Sequence, residues 1–471
     1  MSTAAPARAP GEPLRGPPGL PLIGSLLDVW DSPLRLFAES TAAFGPNVKL
    51  RFLWMDYYLL CDPQAIHHVL VQNHANYRKS RNYQGLKVML GEGLLTSEGD
   101  FWKKQRKLSQ PAFHRDRLAA FADQMVACTK DMLDRWDGEL MGTSFDLHRE
   151  VMRLTFRIVG KTLLSTELDG AAREIGEALN VAIEWANDYV ESLVRVPPWV
   201  PTPNNVRFNK AKETIDTLVD RIVAERRRGN DLGGDLLGML MAAQDEATGE
   251  GMSDVQLRHE LLTLVLAGHE TTANALTFIF YLLSKHPHVM RKLEAEVESV
   301  LGERAPGLPD LKQLRYTTMV IEESMRLYPP AWVLEREAIA DDLVAGIRVP
   351  KDAVIGISPF VLHRNAELYP NPEGFDPERF RPETTATRGK HQYLPFGGGP
   401  RFCIGNAFAM MELQVVVSMI VQRARLDLVP GFSLALDPSV TLRPKDGVRV
   451  TLSRRDRGRA PDRTRPAAFD T

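Results

Sequence analysis

One ten-residue stretch, Phe396-Gly397-Gly398-Gly399-Pro400-Arg401-Phe402-Cys403-Ile404-Gly405, gathers a thiol, a guanidinium and four glycines. Glycines at 397–399 and 405 let the backbone approach something flat or bulky and can aim several N–H groups at one point. A cysteine held there can be a metal-bound thiolate. A free thiol titrates near ~8.5, so staying ionised needs a cation or donors beside it; Arg401 supplies positive charge two residues away, and 407–414 reads as the start of a helix. Zinc does not fit, because no second cysteine or histidine sits at C-x-x-C or H-x-x-x-H spacing. A one-cysteine site implies a metal that brings its other ligands with it, as haem iron does. The residues alone also allow an inert buried cysteine in a glycine turn.

The second candidate is Gly268-His269-Glu270-Thr271-Thr272, in the middle of the most hydrophobic stretch, Leu261 to Leu283. Ser253 with Gln256 is a capping-box start, and Pro287 sets a stop after Lys285. The helix so bounded has about 32 residues and spans roughly 48 Å, enough to cross a large domain. Polar groups at its middle would be costly in lipid, so it is read as buried in a protein core. A glycine inside a helix costs about 1 kcal/mol relative to alanine. The Thr271 hydroxyl can bond back to the Ala267 carbonyl and loosen the ladder. A buried acid beside a hydroxyl breaks core packing rules, as functional sites do; a satisfied internal polar network is the other reading. His269-Glu270 begins H-E-x-x-H, but position 273 is alanine, so that zinc-protease motif fails. Neither a Walker motif nor a G-x-S-x-G elbow is present. His67/His68 and His286/His288 do not share helix faces and are expected at the surface.

Around these segments, apolar spacing is mostly helical from about Pro63 to Arg326, with 197–203 as a loop between helices. Asn47–Phe52 and Tyr57–Cys61 read as a strand pair, with further strand-rich patches at 343–358 and 425–453. The fold class expected is mainly α with small β-sheets, three strand pairs in all, in a single large domain over 21–453. Residues 1–20 hold five prolines and read as a disordered lead. Residues 454–466 carry six arginines and open a basic disordered tail, 454–471. Fifty-eight basic against sixty acidic residues, net −2, leave no broad basic field for nucleic acid. Three cysteines exclude a disulfide scaffold and fit a reducing compartment. The reading is a cytoplasmic protein with no membrane anchor.

FGGGPRFCIG resembles the haem-thiolate signature of the cytochrome P-450 family. Ala267–Thr272 is similar to that family's A-G-x-[DE]-T-[TS], Glu323-Ser324-Met325-Arg326 to its E-x-x-R, 375–380 to its PERF region, and Trp102-x-x-x-Arg106 to its W-x-x-x-R. They occur in the family's order over residues 102–405. The resemblance implies the cytochrome P-450 fold and haem b, with Cys403 as axial ligand. It implies a dioxygen-activating monooxygenase that hydroxylates or epoxidises a hydrophobic small molecule (fatty acid, terpenoid, steroid or polyketide), with Glu270 and Thr271 relaying protons. Carried over residue by residue, Trp102, Arg106, Arg336 and Arg401 hold the haem propionates; Ala267, Gly268, Phe396 and Gly405 also line the haem. Glu323, Arg326 and Arg379 form a structural triad, for which the i,i+3 spacing of the first two is suited. Leu86, Met89, Leu264, Ala267, Trp332, Val333 and Val440 line the substrate pocket, together with the region 185–200.

No flavin or iron–sulfur module is legible, so electrons are expected from a ferredoxin or flavodoxin with its reductase. Such an acidic carrier would be steered to Lys103, Lys104, Arg106 and Lys107. A monomer is expected. A peroxide-driven hydroxylase and a haem-based sensor or carrier are the alternatives, and neither requires the Glu270–Thr271 pair.

Overall fold

The computed structural model describes residues 13–164, 172–192, 195–229, 234–245 and 248–455. The central helix runs Asp254–Lys285, 32 residues. Its start is a closed capping box: Gln256 N donates to Ser253 Oγ (3.3 Å) and Ser253 N to Gln256 Oε1 (2.8 Å). Two otherwise orphaned N–H donors are thereby satisfied. His286 ends it and Pro287 opens the next helix. Its apolar surface is covered by helices Leu147–Leu164, Pro203–Arg228, Arg315–Leu327 and Asn406–Arg423. No helix among the described residues is long and apolar enough to cross a membrane.

The protein is mainly helical with small sheets. The first hairpin forms where alternation placed it, with Asn47 opposite Leu60 and Phe52 opposite Met55. Three separate strand pairs is an expectation the structure corrects. Met55–Leu60 runs parallel to Val354–Ile357, which pairs with Leu334–Ala338, which in turn pairs with Tyr77–Lys79. These make one five-stranded sheet from three distant regions. Strands of three to six residues carry little local signal for partners far along the chain. The register sets Lys79 directly opposite Arg336. Ser144–Asp146, Ala424–Leu428 and Arg449–Arg454 form a second, three-stranded sheet.

Residues 13–20 of the proline-rich lead lie on the first strand. Lys49 N donates to Arg15 O (3.0 Å), and a Cβ on Gly16 would come within 1.8 Å of Lys49 O. Residues 1–12 and 456–471 lie outside the described residues. Arg454 closes the last strand, and Arg455 pairs with Glu298 at 2.9 Å. Three of the four histidines expected at the surface are partly buried instead. His68 Nε2 lies 2.9 Å from Asp342 Oδ2, a carboxylate that also accepts from Tyr77 and Asn73. His286 Nδ1 lies 2.7 Å from Leu282 O, and the His67 ring lies against His391, 4.8 Å between centroids.

Candidate active site

The cysteine loop is held from two sides. Cys403 N donates to Phe396 O (3.0 Å). Gly399 has φ +67°, and a Cβ there would lie 1.8 Å from Leu70 O, so only glycine lets the loop close on that backbone. The segment leading into it is pinned by Leu394 N donating to His363 Nε2 (2.9 Å) and Tyr393 OH donating to Glu322 O (2.8 Å). Below lies an ion cluster. Arg326 and Glu323, both without exposed surface, are joined by bonds of 2.7 and 2.9 Å. Arg326 also donates to the carbonyls of His363, Pro372 and Gly374. Arg379 Nε sits 3.4 Å from Glu323 Oε1. The three residues expected as a triad are thus in one cluster.

Cys403 opens onto a cavity of about 1650 Å³ whose wall includes Leu264, Ala267, Gly268, Glu270 and Thr271 of the central helix. Loss of hydration pushes the thiol up, against the Gly405 N–H and the charge of Arg106, which favour the thiolate. Phe396, Gly405, Arg336 and Arg401 share this wall, as do Leu86, Trp332, Val333 and Val440. Trp102 and Arg106 stand behind it. The Arg401 guanidinium lies 4.2 Å from the centre of the Trp102 ring, a cation–π stack. Met89 is not on the wall; it packs in the helical core. Trp185 is also withdrawn, stacked on Phe208 at 3.9 Å and donating to Asn205 Oδ1, while Ala186, Asn187, Ser192 and Arg195 reach the cavity.

On the central helix the Thr271 hydroxyl donates to Ala267 O (2.6 Å), and Thr155 of the neighbouring helix donates to His269 O (3.0 Å). His269 is a core residue set edge-on to Phe156, and burial brings it down to about 4. Glu270 is buried; Thr441 donates to its Oε1 (2.7 Å), and its Oε2 has no partner among the described residues. Burial raises this carboxyl, opposed by the Thr441 bond and the Arg443 charge.

Two residues of the site went unseen in the sequence: Thr441, the residue after the expected Val440, and Lys79. The Lys79 amine, on the cavity wall, is brought well below the ordinary lysine value, first by desolvation and then by Arg336 and Arg401. Like charges directly opposite across a sheet repel. Glu98, paired with Arg401 at 2.6 Å, offsets the excess in part. Lys79, Arg336 and Arg401 together on the cavity wall suit a dianion. A flat apolar group with two carboxylates and a thiolate-ligated metal satisfies every feature described. The residues fit a haem.

The sequence matches the family model described as Cytochrome P450 over residues 14–448. The chain belongs to the cytochrome P450 family. It is similar to the Cyclooctatin synthase of Streptomyces melanosporofaciens, 37% identical over 90% of this chain and 92% of that protein. With the Cyclooctat-9-en-7-ol 5-monooxygenase of the same organism it shares 34% over 92% of this chain and 93% of the other. With the Pentalenene oxygenase of Streptomyces avermitilis it shares 30% over 94% and 97%. The protein is therefore a cytochrome P450 monooxygenase, and membership implies a haem-thiolate cofactor.

Lys103, Lys104 and Lys107 do not form a bare basic face in this P450. They pair with Asp100 (2.8 Å), Glu250 (2.7 Å) and Asp245 (3.3 Å). The first two are exposed pairs, of a kind worth about 0–1 kcal/mol each.

Proposed function

We propose that this P450 holds haem b and hydroxylates or epoxidises a cyclic terpenoid. The observation that carries the reading is one largely apolar cavity whose wall includes Cys403, Glu270 and Thr271 together. Cys403 would hold the haem iron through its thiolate, and Lys79, Arg336 and Arg401 would meet the propionates, with Trp102 and Arg106 behind them. Bound there, haem supplies dioxygen activation and oxygen insertion. Glu270 holds a proton at Oε2, a buried atom without a partner among the described residues, next to Thr271 in sequence. Leu86, Leu264, Trp332, Val333 and Val440 exclude water and orient an apolar substrate.

The cyclic-terpenoid class follows from relatives named for a cyclic alkenol and for pentalenene, together with this apolar wall. We place the enzyme in the cytoplasm, where its unpaired Cys61, Cys128 and Cys403 are stable, working as a monomer with a ferredoxin or flavodoxin and its reductase. The test is a binding titration of the purified ferric protein with cyclic terpene hydrocarbons and alcohols, fatty acids, steroids and polyketides. The cyclic terpenes are expected to drive iron high-spin at the lowest concentrations. A high-spin shift with fatty acids alone would replace the substrate class.

Lys79 gives a second check. Its folded proton affinity lies below that of the unfolded chain, so across the interval between the two values the unfolded state binds more protons. Stability of the haem-free protein should then rise with pH through that interval. Lys79→Met is expected to remove that rise, and to speed haem loss from the loaded enzyme by about 10-fold, the lower range for supporting residues at metal sites. Thermal midpoints against pH and a haem-release assay measure the two effects; a variant unchanged in both would show that Lys79 has no part in holding the dianion.

A further inference from the structure

Glu270 is reached by a chain of side chains that the reading above does not use. Asn274 lies one turn further along the central helix, on the same face, and is fully buried. Its Nδ2 donates to Thr441 Oγ1 (3.0 Å), and the Thr441 hydroxyl donates to Glu270 Oε1 (2.7 Å). At the far end Asn274 Oδ1 lies 2.9 Å from Nε2 of His148, a partly exposed residue on helix Leu147–Leu164.

Counting protons couples the directions of all three bonds, so that one sets the others. A threonine hydroxyl has one proton to give. When it goes to Glu270, Thr441 must receive from Asn274, so the amide nitrogen faces Thr441 and the amide oxygen faces His148. His148 must then carry its proton on Nε2. The reverse order needs a proton on Glu270 Oε1, a flipped amide and a bare His148 Nε2. A side-chain amide is a poor proton carrier, so this is not a wire. What the chain can do is choose which carboxyl oxygen is tied down.

We propose that His148, Asn274 and Thr441 are positioning residues for Glu270, a directional hydrogen-bond chain that keeps Oε1 as an acceptor and leaves the buried Oε2 to take and give the proton. The proposal rests on reading Glu270 as the proton-handling group of the site. Other charged groups act on the two ends. Arg443 and Asp437, paired with each other at 2.8 Å, act on Glu270; Asp146, Arg443 and His269 act on His148. None of them is altered in the variants below.

The test is infrared spectroscopy of the full-length, haem-loaded protein against pH. It follows the protonated-carboxyl stretch assigned to Glu270 by its loss in Glu270→Gln. Removing a donor from a carboxylate favours protonation. Thr441→Val should therefore move the midpoint of that band upward by about one pH unit, the equivalent of one charge-assisted hydrogen bond. His148→Leu frees the amide to flip and should move it in the same direction. Thr441→Ser and His148→Gln keep the donors and should leave it in place. The double variant His148→Leu/Thr441→Val should shift no further than Thr441→Val alone, because both break one chain. Peroxide release during turnover should rise in the same variants and in Glu270→Gln, and should not rise in Thr441→Ser or His148→Gln.

The proposal is overturned if His148→Leu leaves the midpoint unmoved, if the two shifts add, if His148→Gln behaves as His148→Leu does, or if no band depends on Glu270. A His148→Leu protein that fails to fold leaves the question to Thr441→Val and Thr441→Ser, and equal midpoints in those two overturn it. The infrared result needs no turnover. Failure of the chain leaves the spectrum of the carbon monoxide complex unchanged, whereas failure of the monooxygenase reading appears in that spectrum first.

Discussion

Replacing Cys403 with histidine should leave a folded, coloured protein that no longer oxygenates substrate. The reduced protein exposed to carbon monoxide should lose the strongly red-shifted band of a thiolate–haem and show an imidazole-like one. The loop supports this expectation. Cys403 is fixed through its backbone N–H on Phe396 O, so the side chain can be changed without removing that contact. A Cβ on Gly405 would lie 4.0 Å from the sulfur, so the next glycine leaves room on the ligand's own side. The thiolate's contribution is electronic, since its electron density favours O–O cleavage. Changes one shell away from a metal cost about 10–100-fold, which sets the floor for exchanging the ligand itself. Oxygenation should fall by at least that much while haem content is largely kept. An unshifted band in Cys403→His would remove Cys403 from the metal.

The contrast between what the chain disclosed in advance and what it hid follows the range of the interactions. The central helix was legible to its last residue because its signals are local: Ser253 and Gln256 three apart, and Pro287 after Lys285. The Cys403 loop stood out because its glycine spacing and single thiol are local features, although the residues alone left an inert cysteine open until the family resemblance was drawn. Lys79 was not. Nothing around it marks a site until the register of a five-stranded sheet sets it opposite Arg336, more than two hundred and fifty residues away in sequence. Thr441 likewise acquires its role only where it meets Glu270. Met89 shows the converse. It lies three residues after Leu86 on the same short helix, yet only Leu86 reaches the cavity. Which of two apolar side chains on one helix face meets a void is decided by the neighbouring element, and periodicity cannot report it.

The ion cluster beneath the loop sets the second large effect. Glu323 and Arg326 have no exposed surface, and removing one member of such a pair leaves a buried charge uncompensated, at a cost of about 3–5 kcal/mol. Glu323→Ala should lower stability by that amount. The Arg326 guanidinium would keep its three carbonyls but lose its counter-charge. Asp376 N, which donates to Glu323 at 2.9 Å, would also lose its acceptor. Removing both members need not restore stability here, although replacing a buried pair by apolar residues often does. Arg326 is also the donor for the carbonyls of His363, Pro372 and Gly374, and Glu323→Leu/Arg326→Met would strand all three. Each stranded carbonyl costs about 1–3 kcal/mol. His363 is the acceptor for Leu394 N, at the entrance to the Cys403 loop. Loss of the thiolate signature is therefore expected at a lower temperature than loss of helical signal in these variants. Circular dichroism and the carbon monoxide spectrum, recorded on one thermal ramp, measure both. A destabilisation below about 1 kcal/mol, the range of an exposed ion pair, would mean that the cluster does not support the loop.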